Sequence, residues 1–333
     1  DNGGFDVIIG NPPYVSMNNI KYMKSTSRFS CTDLYGFVIK RVFDILSKYG
    51  RHGFIVMHNL AFSRNFKDVR KLILDKSKSN WFSFYSRIPS GLFDGSVRVR
   101  NAIYITAPNE GGTHTTRLHR WFAEQRSCLL NSLKYSLTAI TDVIPMLNDC
   151  CLQKIYENKR GRSFIRSKTD NVLYAKKTAY NCLSITHIEA PTYCHNTIIE
   201  SDCSRVYVQP KYFEYAQLLC AGKILFTRWL SYGDDFHLTS SDVSTFIFPF
   251  EDLSNEDISI LHSVFQEFIA EIESTLQFKL NAGKNVGTYN PRALWHLTDR
   301  SDLIFMKYLS NNPIKEFEAI ENLIAASVIS DKK

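Results

Sequence analysis

The stretch "VIIGNPPY" (7–14) leaves this chain little conformational choice. Consecutive prolines fix φ and supply no N–H, so neither a helix nor a sheet ladder continues through Pro12 and Pro13. The apolar run "FDVIIG" (5–10) must therefore end at Gly10. It reads as a short parallel strand buried on both faces, handing over to a stiff loop. "CTDLYGFVIKRVFDILSKYG" then places Leu34, Phe37, Val38, Val42, Ile45 and Leu46 at helical spacing, with Thr32 or Asp33 as cap and Gly50 as stop. "GFIVMHN" (53–59) is a second buried strand, Ser63 opens the helix "RNFKDVRKLILDKS", and "NWFSFYS" is a third strand. Strand, helix, strand, helix, strand predicts an α/β fold, part of a doubly wound, Rossmann-like sheet.

The rhythm breaks at "LFDGSVRVRNAIYIT" (92–106), where Val97, Val99, Ile103 and Ile105 alternate. An antiparallel edge hairpin with "TTRLHRWF" (115–122) is expected. Residues 126–159 read as a helical connector between a first domain, 1–125, and a second, 160–330, of mixed α+β character. In the second, "SNEDISILHSVFQEFIAEIESTLQFKL" (254–280) reads as one long amphipathic helix capped by Ser254 or Asn255. At 333 residues, 44% hydrophobic and 22% charged, the chain is long and apolar enough for two globular domains. No apolar run approaches the ~20 residues that span a bilayer, and no secretory leader is visible. The eight cysteines form no CxxC pair, which points to reduced thiols in a cytoplasmic protein without zinc or disulfides.

Charge is unevenly spread. Residues 1–110 hold 16 Lys/Arg against 8 Asp/Glu, residues 154–177 hold 8 against 2, and residues 236–333 hold 8 against 14. A basic front and middle suit a polyanionic partner. They equally suit solvated surface.

In an open α/β sheet, ligands sit beyond the carboxyl ends of the strands, where "NPPY" falls. Its prolines stiffen the loop and offer carbonyl acceptors without competing donors, Asn11 adds an amide oxygen, and Tyr14 adds a flat face. Such a loop suits gripping a planar –NH2 group, or simply turning the chain away from a strand. The segment resembles the amino-methyltransferases that act on DNA, whose motif is (D/N/S)PP(Y/F/W) after an apolar strand. "DLYGFVIKRVFDILSKYGRHGFIVMHN" is similar to that family's next helix and strand, with His58 where proline is common, and "LFDGSVRVRNAIYIT" to its later motif. The similarity covers roughly residues 3–106, and Asn with Tyr points to adenine N6.

The resemblance implies roles. Asn11 and the Pro12 carbonyl would accept the two N6 hydrogens, Pro13 would stiffen the loop, and Tyr14 would stack on a base flipped out of the duplex. Phe93 would form the second wall of the base pocket. The methyl donor would be S-adenosylmethionine, held in the family by a Gly-rich turn after an earlier strand and an acidic residue ending the next. Here "CAGKILF" and "NAGKNVGTYN" do not lie between an apolar strand and a helix, so this chain reads as the carboxyl-terminal part of such an enzyme, with only Asn11 bordering the donor. An upstream methyltransferase or endonuclease segment is the expected companion, and double-stranded DNA the expected partner. In the second half Arg160, Arg162, Arg166 and Lys168, interleaved with aromatics, would contact phosphates. The stretches 226–239 and 281–300 read as base-reading loops, with Lys284, Asn285, Tyr289 and Arg292 as the contacts. Three other readings fit the same tetrapeptide: a non-catalytic specificity subunit, a cytosine N4 enzyme and a release-factor glutamine methyltransferase. If the donor half lies elsewhere, calorimetric titration of this chain alone should show weak or no S-adenosylmethionine binding. Saturable binding at low micromolar concentration would overturn that domain order.

Overall fold

The computed structural model describes residues 3–19, 29, 31–93 and 98–328, and Val97 of the expected alternation lies outside them. The chain divides into two compact units, residues 1–150 and 151–330.

The first unit carries β1 (Phe5–Gly10), α1 (Leu34–Ile45), β2 (Leu46–Met57), α2 (Lys67–Lys76), β3 (Ser79–Tyr85), β4 (Asn101–Ala107), β5 (Gly112–His119), a single turn α3 (Arg126–Leu129) and β6 (Ser136–Leu137). Its six-stranded sheet has the order β1-β2-β4-β3-β5-β6. β1 runs parallel to β2 and β3 parallel to β5, while β4 is antiparallel to both β2 and β3. The expected strand–helix alternation is present, as is the cap at Ser63, whose side chain accepts from the Asn65 N–H. β4 is not part of an edge hairpin with β5. It runs between β2 and β3, where Ala102 and Tyr104 join the core.

Two details differ for local reasons. α1 runs directly into β2 with no stop at Gly50, and Asp33 makes no side-chain cap. Phe5 already pairs with Leu46 while Val7 pairs with Arg51, so the intervening residues form a bulge. A Cβ at Gly50 would sit 2.7 Å from the Phe5 carbonyl oxygen, which is why glycine stands there. The buried stripe of α1 is Tyr35, Ile39 and Val42.

That stripe, with Val69 and Ile73 of α2, packs on Phe54, Val56, Phe82, Phe84 and Tyr104 as one core. Both helices thus cover the same face of the sheet. The opposite face has a smaller cluster of Tyr85, Trp121 and Leu129. Toward β1 it is open: Phe5, Val7 and Ile9 are 61%, 63% and 79% exposed, and Ile105, in the Ile9–Gly53–Ile105 row, is 50% exposed. β1 is therefore an edge strand with one apolar face in solvent, not a strand buried on both sides. Residues 136–137 join the sheet and Ile144 and Met146 enter its core, so most of the expected connector belongs to this unit.

The second unit begins in α4 (Cys150–Tyr156) and continues through β7 (Val172–Lys176), β8 (Ile185–Thr186), β9 (Thr192–Cys194), β10 (Thr197–Ile199) and β11 (Cys203–Tyr207). α5 (Phe213–Ala221), α6 (Lys223–Tyr232), α7 (Ser240–Ser244), α8 (Asn255–Glu271), β12 (Gln277–Asn281), β13 (Lys284–Thr288), α9 (Trp295–Leu309) and α10 (Pro313–Ser327) follow. Its strands form the sheets β11-β7-β8 and β10-β9-β13-β12. α5, α6, α8, α9 and α10 pack together, burying Leu219, Phe226, Trp229, Phe268, Phe305 and Ile320. Ser254 caps α8 as expected, its Oγ accepting from Asp257 N at 3.1 Å. The helix ends at Glu271, because residues 277–281 turn outward as a strand. At the start of α6 the Asp302 carboxylate accepts from Lys223 N at 2.7 Å, and Lys223 Nζ pairs with Asp299 and Glu321 at 2.6 and 3.1 Å, tying α6 to α9 and α10.

His52 is buried in the first unit with Nδ1 2.9 Å from Thr106 Oγ1. Burial pushes its pKa down to about 4, and burial with the Arg117 charge pushes His119 to about 3. A lowered histidine pKa gives stability that is full above the ordinary value of about 6.5 and lost as pH falls toward the folded value. The urea-unfolding free energy of the first unit should fall between pH 7 and pH 4.5, by roughly 2–3 kcal/mol on account of His52. His52→Gln should flatten that slope. An unchanged slope would assign the acid sensitivity to other groups.

Candidate active site

β1 ends against β2, with Gly10 opposite Phe54. A Cβ at Gly10 would approach the Phe54 ring to 3.2 Å, so glycine lets the chain leave the strand close to the sheet. Asn11 is exposed, Pro12 buried, Pro13 exposed and Tyr14 half-buried. Beyond the motif, Leu34 N donates to Val15 O and Met17 N to Thr32 O, both at 2.8 Å. The tetrapeptide is thus pinned on both sides, by β1 pairing before it and by the entry to α1 after it.

Tyr14 is the anchor within the motif. Its hydroxyl donates to Ile55 O and accepts from Asn101 Nδ2, each at 3.2 Å. Asn101 opens β4 opposite Met57 of β2 and Tyr85 of β3, is itself buried, and also reaches Val56 O at 3.4 Å. Burial drives the Tyr14 pKa up to about 12, against the Asn101 hydrogen bond that lowers it, so the phenol stays protonated at neutral pH. Its ring meets Tyr35 edge-on, centroids 6.2 Å apart. Tyr35 stacks on Phe66 at 4.9 Å and donates to Asn59 Oδ1 at 2.6 Å. Arg70 fixes the turn after β2 by donating to Leu60 O and Ser63 O at 2.9 and 2.7 Å.

These groups gather at one end of the sheet, the carboxyl end of β1, β2 and β3 and the start of β4. The arrangement presents an exposed amide, Asn11, beside a rigidly held aromatic plate on a stiff, acceptor-rich loop. Phe93 is half-exposed in the segment leaving β3 at that same end, and among the described residues no hydrogen bond or ring contact ties it to Tyr14. Asn101, Tyr35 and Asn59 went unnoticed in the sequence. A polar residue opening the apolar alternation "NAIYIT" was the available signal for Asn101.

The second-unit candidates fare unevenly. Arg160, Arg162, Arg166 and Lys168 are all exposed. Arg160 pairs with Asp252 at 3.2 Å and Arg162 with Glu251 at 3.9 Å, so two of them already have counter-charges. Lys284 and Asn285 are exposed on β13. Tyr289 is buried at 6% exposure and belongs to the core, and Arg292 is half-buried with its guanidinium 5.9 Å over Trp295. Residues 281–300 are a hairpin followed by helix rather than a loop. Much of 226–239 is the buried α6, where Phe226, Trp229 and Leu230 have no access to a ligand. Asp234 closes a turn by accepting from Phe236 N at 2.9 Å.

Residues 1–87 match the family model described as Eco57I restriction-modification methylase. The Type II methyltransferase M.BstVI of Geobacillus stearothermophilus is 32% identical over 109 residues, which are 30% of this chain and 19% of that protein. A DrdV–DNA complex overlaps 52% of this chain and 22% of its own at 15% identity and a TM-score of 0.36. A nuclease-deletion mutant of the Type ISP restriction-modification enzyme LlaGI, in complex with a DNA substrate mimic, overlaps 53% and 18% at 15% identity and 0.36. The chain spans about a fifth of each of these proteins. The family-model match lies in residues 1–87, which contain the tetrapeptide.

Truncating either partner of the Tyr14–Asn101 pair strands a buried polar group. Tyr14→Phe and Asn101→Ala should each cost about 1–2 kcal/mol in urea unfolding. Their double mutant should show a coupling of about 0.5 kcal/mol or more. Strict additivity would show that the hydroxyl does not depend on Asn101.

Proposed function

We propose that this chain is the acceptor-binding and DNA-binding part of a site-specific DNA adenine N6-methyltransferase of a restriction-modification system. The observation that carries the reading is the Asn11–Tyr14 loop, held at the carboxyl end of a mixed α/β sheet with its amide exposed and its aromatic ring anchored. The methylase match of residues 1–87 supports it.

An adenine amine is a weak nucleophile because its lone pair is delocalised into the ring. Asn11 Oδ1 and the Pro12 carbonyl would accept its two hydrogens, favouring a pyramidal nitrogen with its lone pair directed outward. The acceleration comes from position and fixed dipoles rather than from a strong base, since the nitrogen becomes acidic once alkylated. Tyr14 would stack on the flipped base, with its hydroxyl bonds holding the plate still, and Phe93 would close the other side. Pro13 keeps the loop stiff.

S-adenosylmethionine supplies the methyl group in this chemistry. Among the residues of the loop, Asn11 and the backbone would border that donor. The open edge of β1 and its exposed Phe5, Val7 and Ile9 suit further strands and helices that would bring the donor site. The same edge suits a specificity subunit whose partner carries the donor half.

Expressed together with a donor-binding half in a host free of other methyltransferases, the protein should leave N6-methyladenine in one sequence context, read by single-molecule sequencing. Asn11→Ala should abolish the mark while shifting stability by less than about 0.5 kcal/mol, as expected for an exposed side chain. N4-methylcytosine would reassign the base. Near-normal methylation by the Asn11→Ala variant would remove Asn11 as the acceptor.

A further inference from the structure

Within the second unit, the end of β7, the start of β11 and the β12–β13 hairpin border a cleft of about 780 Å³. Four lysines line it, from three separate segments: Lys176 and Lys177 at the end of β7, Lys279 on β12 and Lys284 at the start of β13. The stretches 154–177 and 281–300, each expected from its sequence to touch DNA, meet here. Two carboxylates also face the cleft, Glu200 and Asp202, and Asp202 is taken up by Lys177 at 2.5 Å.

The remaining charge is not balanced locally. Lys279 and Lys284 are exposed and form no ion pair among the described residues. Lys176 is half-buried, and its ammonium donates to Thr288 Oγ1. Burial chiefly holds its pKa below the ordinary lysine range; the Cys203 thiol opposes that, and the nearby Lys279 charge adds to it. Like charges kept this close gain most from a bound anion. By contrast Arg160 and Arg162 already have carboxylates beside them.

The strand register sets which groups face the cleft. β12 alternates, turning Lys279 and Asn281 to the cleft while Phe278 meets Tyr193 on the other face. Ala282 and Gly283, at φ 47° and 77°, make the tight turn that joins the edge strand β12 to β13, whose residues 284–286 pair on their other side with β9. Phe236, half-exposed on the cleft wall, adds an aromatic surface beside the lysines.

We propose that this cleft is where the second unit grips the DNA backbone, with Lys279 and Lys284 on phosphates. The proposal rests on the DNA-methyltransferase reading above and moves the principal phosphate contacts away from Arg160, Arg162 and Arg166. Fluorescence anisotropy of the chain with a labelled 30-base-pair duplex, between 50 and 200 mM salt, tests it. Lys279→Ala/Lys284→Ala should weaken binding to any duplex sequence and reduce the slope of log affinity against log salt by about 0.9 for each phosphate no longer neutralised. Lys279→Arg/Lys284→Arg should restore the slope, which a merely structural role would not require. The triple change of Arg160, Arg162 and Arg166 to Ala should lower the slope less. An unchanged slope in the double alanine variant, with the parent chain binding well, overturns the cleft and leaves the methyltransferase reading standing. A parent chain that fails to bind duplex DNA at 50 mM salt overturns both.

Discussion

The place of the tetrapeptide depends on the pairing of β1 with β2. β1 has one strand neighbour, so the position of the tetrapeptide at its end is set by a single ladder and by what the loop itself can reach. The loop compensates through Tyr14, whose hydroxyl engages β2 through Ile55 and β4 through Asn101. A phenol is well suited to this task. It carries a rigid apolar ring, packed against the core, out to a polar end that both donates and accepts, so one side chain ties the loop to two strands.

Much of this was legible because local rules and packing agree in the first unit. Two prolines after a glycine end a strand regardless of context, and the α1 and α2 patterns flank apolar runs too short to be anything but strands. What could not be read was depth and order. An apolar run such as "FDVIIG" signals a strand but not whether both its faces are covered, and here the answer depends on its place at the sheet edge. The insertion of β4 between β2 and β3 is equally silent in sequence, since alternation specifies faces and not neighbours. Gly50 looked like a helix stop and proved to be a bulge, because a glycine says only that a side chain would collide.

The second unit was read less well, for a physical reason. Its helices α5 and α6 bury nearly every residue, so their apolar positions run all round and leave little periodicity. Basic and aromatic residues in such a segment, Arg228 and Trp229 among them, resemble a nucleic-acid surface in composition. Arg228 is in fact engaged with Tyr156 O and Asp242 O, at 3.2 and 2.9 Å. Composition registers charge, and only packing shows which charges are free. The course of the chain at the tetrapeptide escaped this ambiguity because its prolines specify it.

The open edge of β1 also bears on how the tetrapeptide behaves in time. A strand with one ladder and three solvent-facing apolar side chains opens at a small fraction of the free energy that unfolds the core, and its amides exchange accordingly. Whatever covers that edge adds a second ladder and removes the fraying, and so stiffens Asn11 and Tyr14 without touching them. Order in that loop would then rise with pairing along the edge. Pairing on one side of the strand would then bear on the tetrapeptide at its end through backbone fluctuation alone.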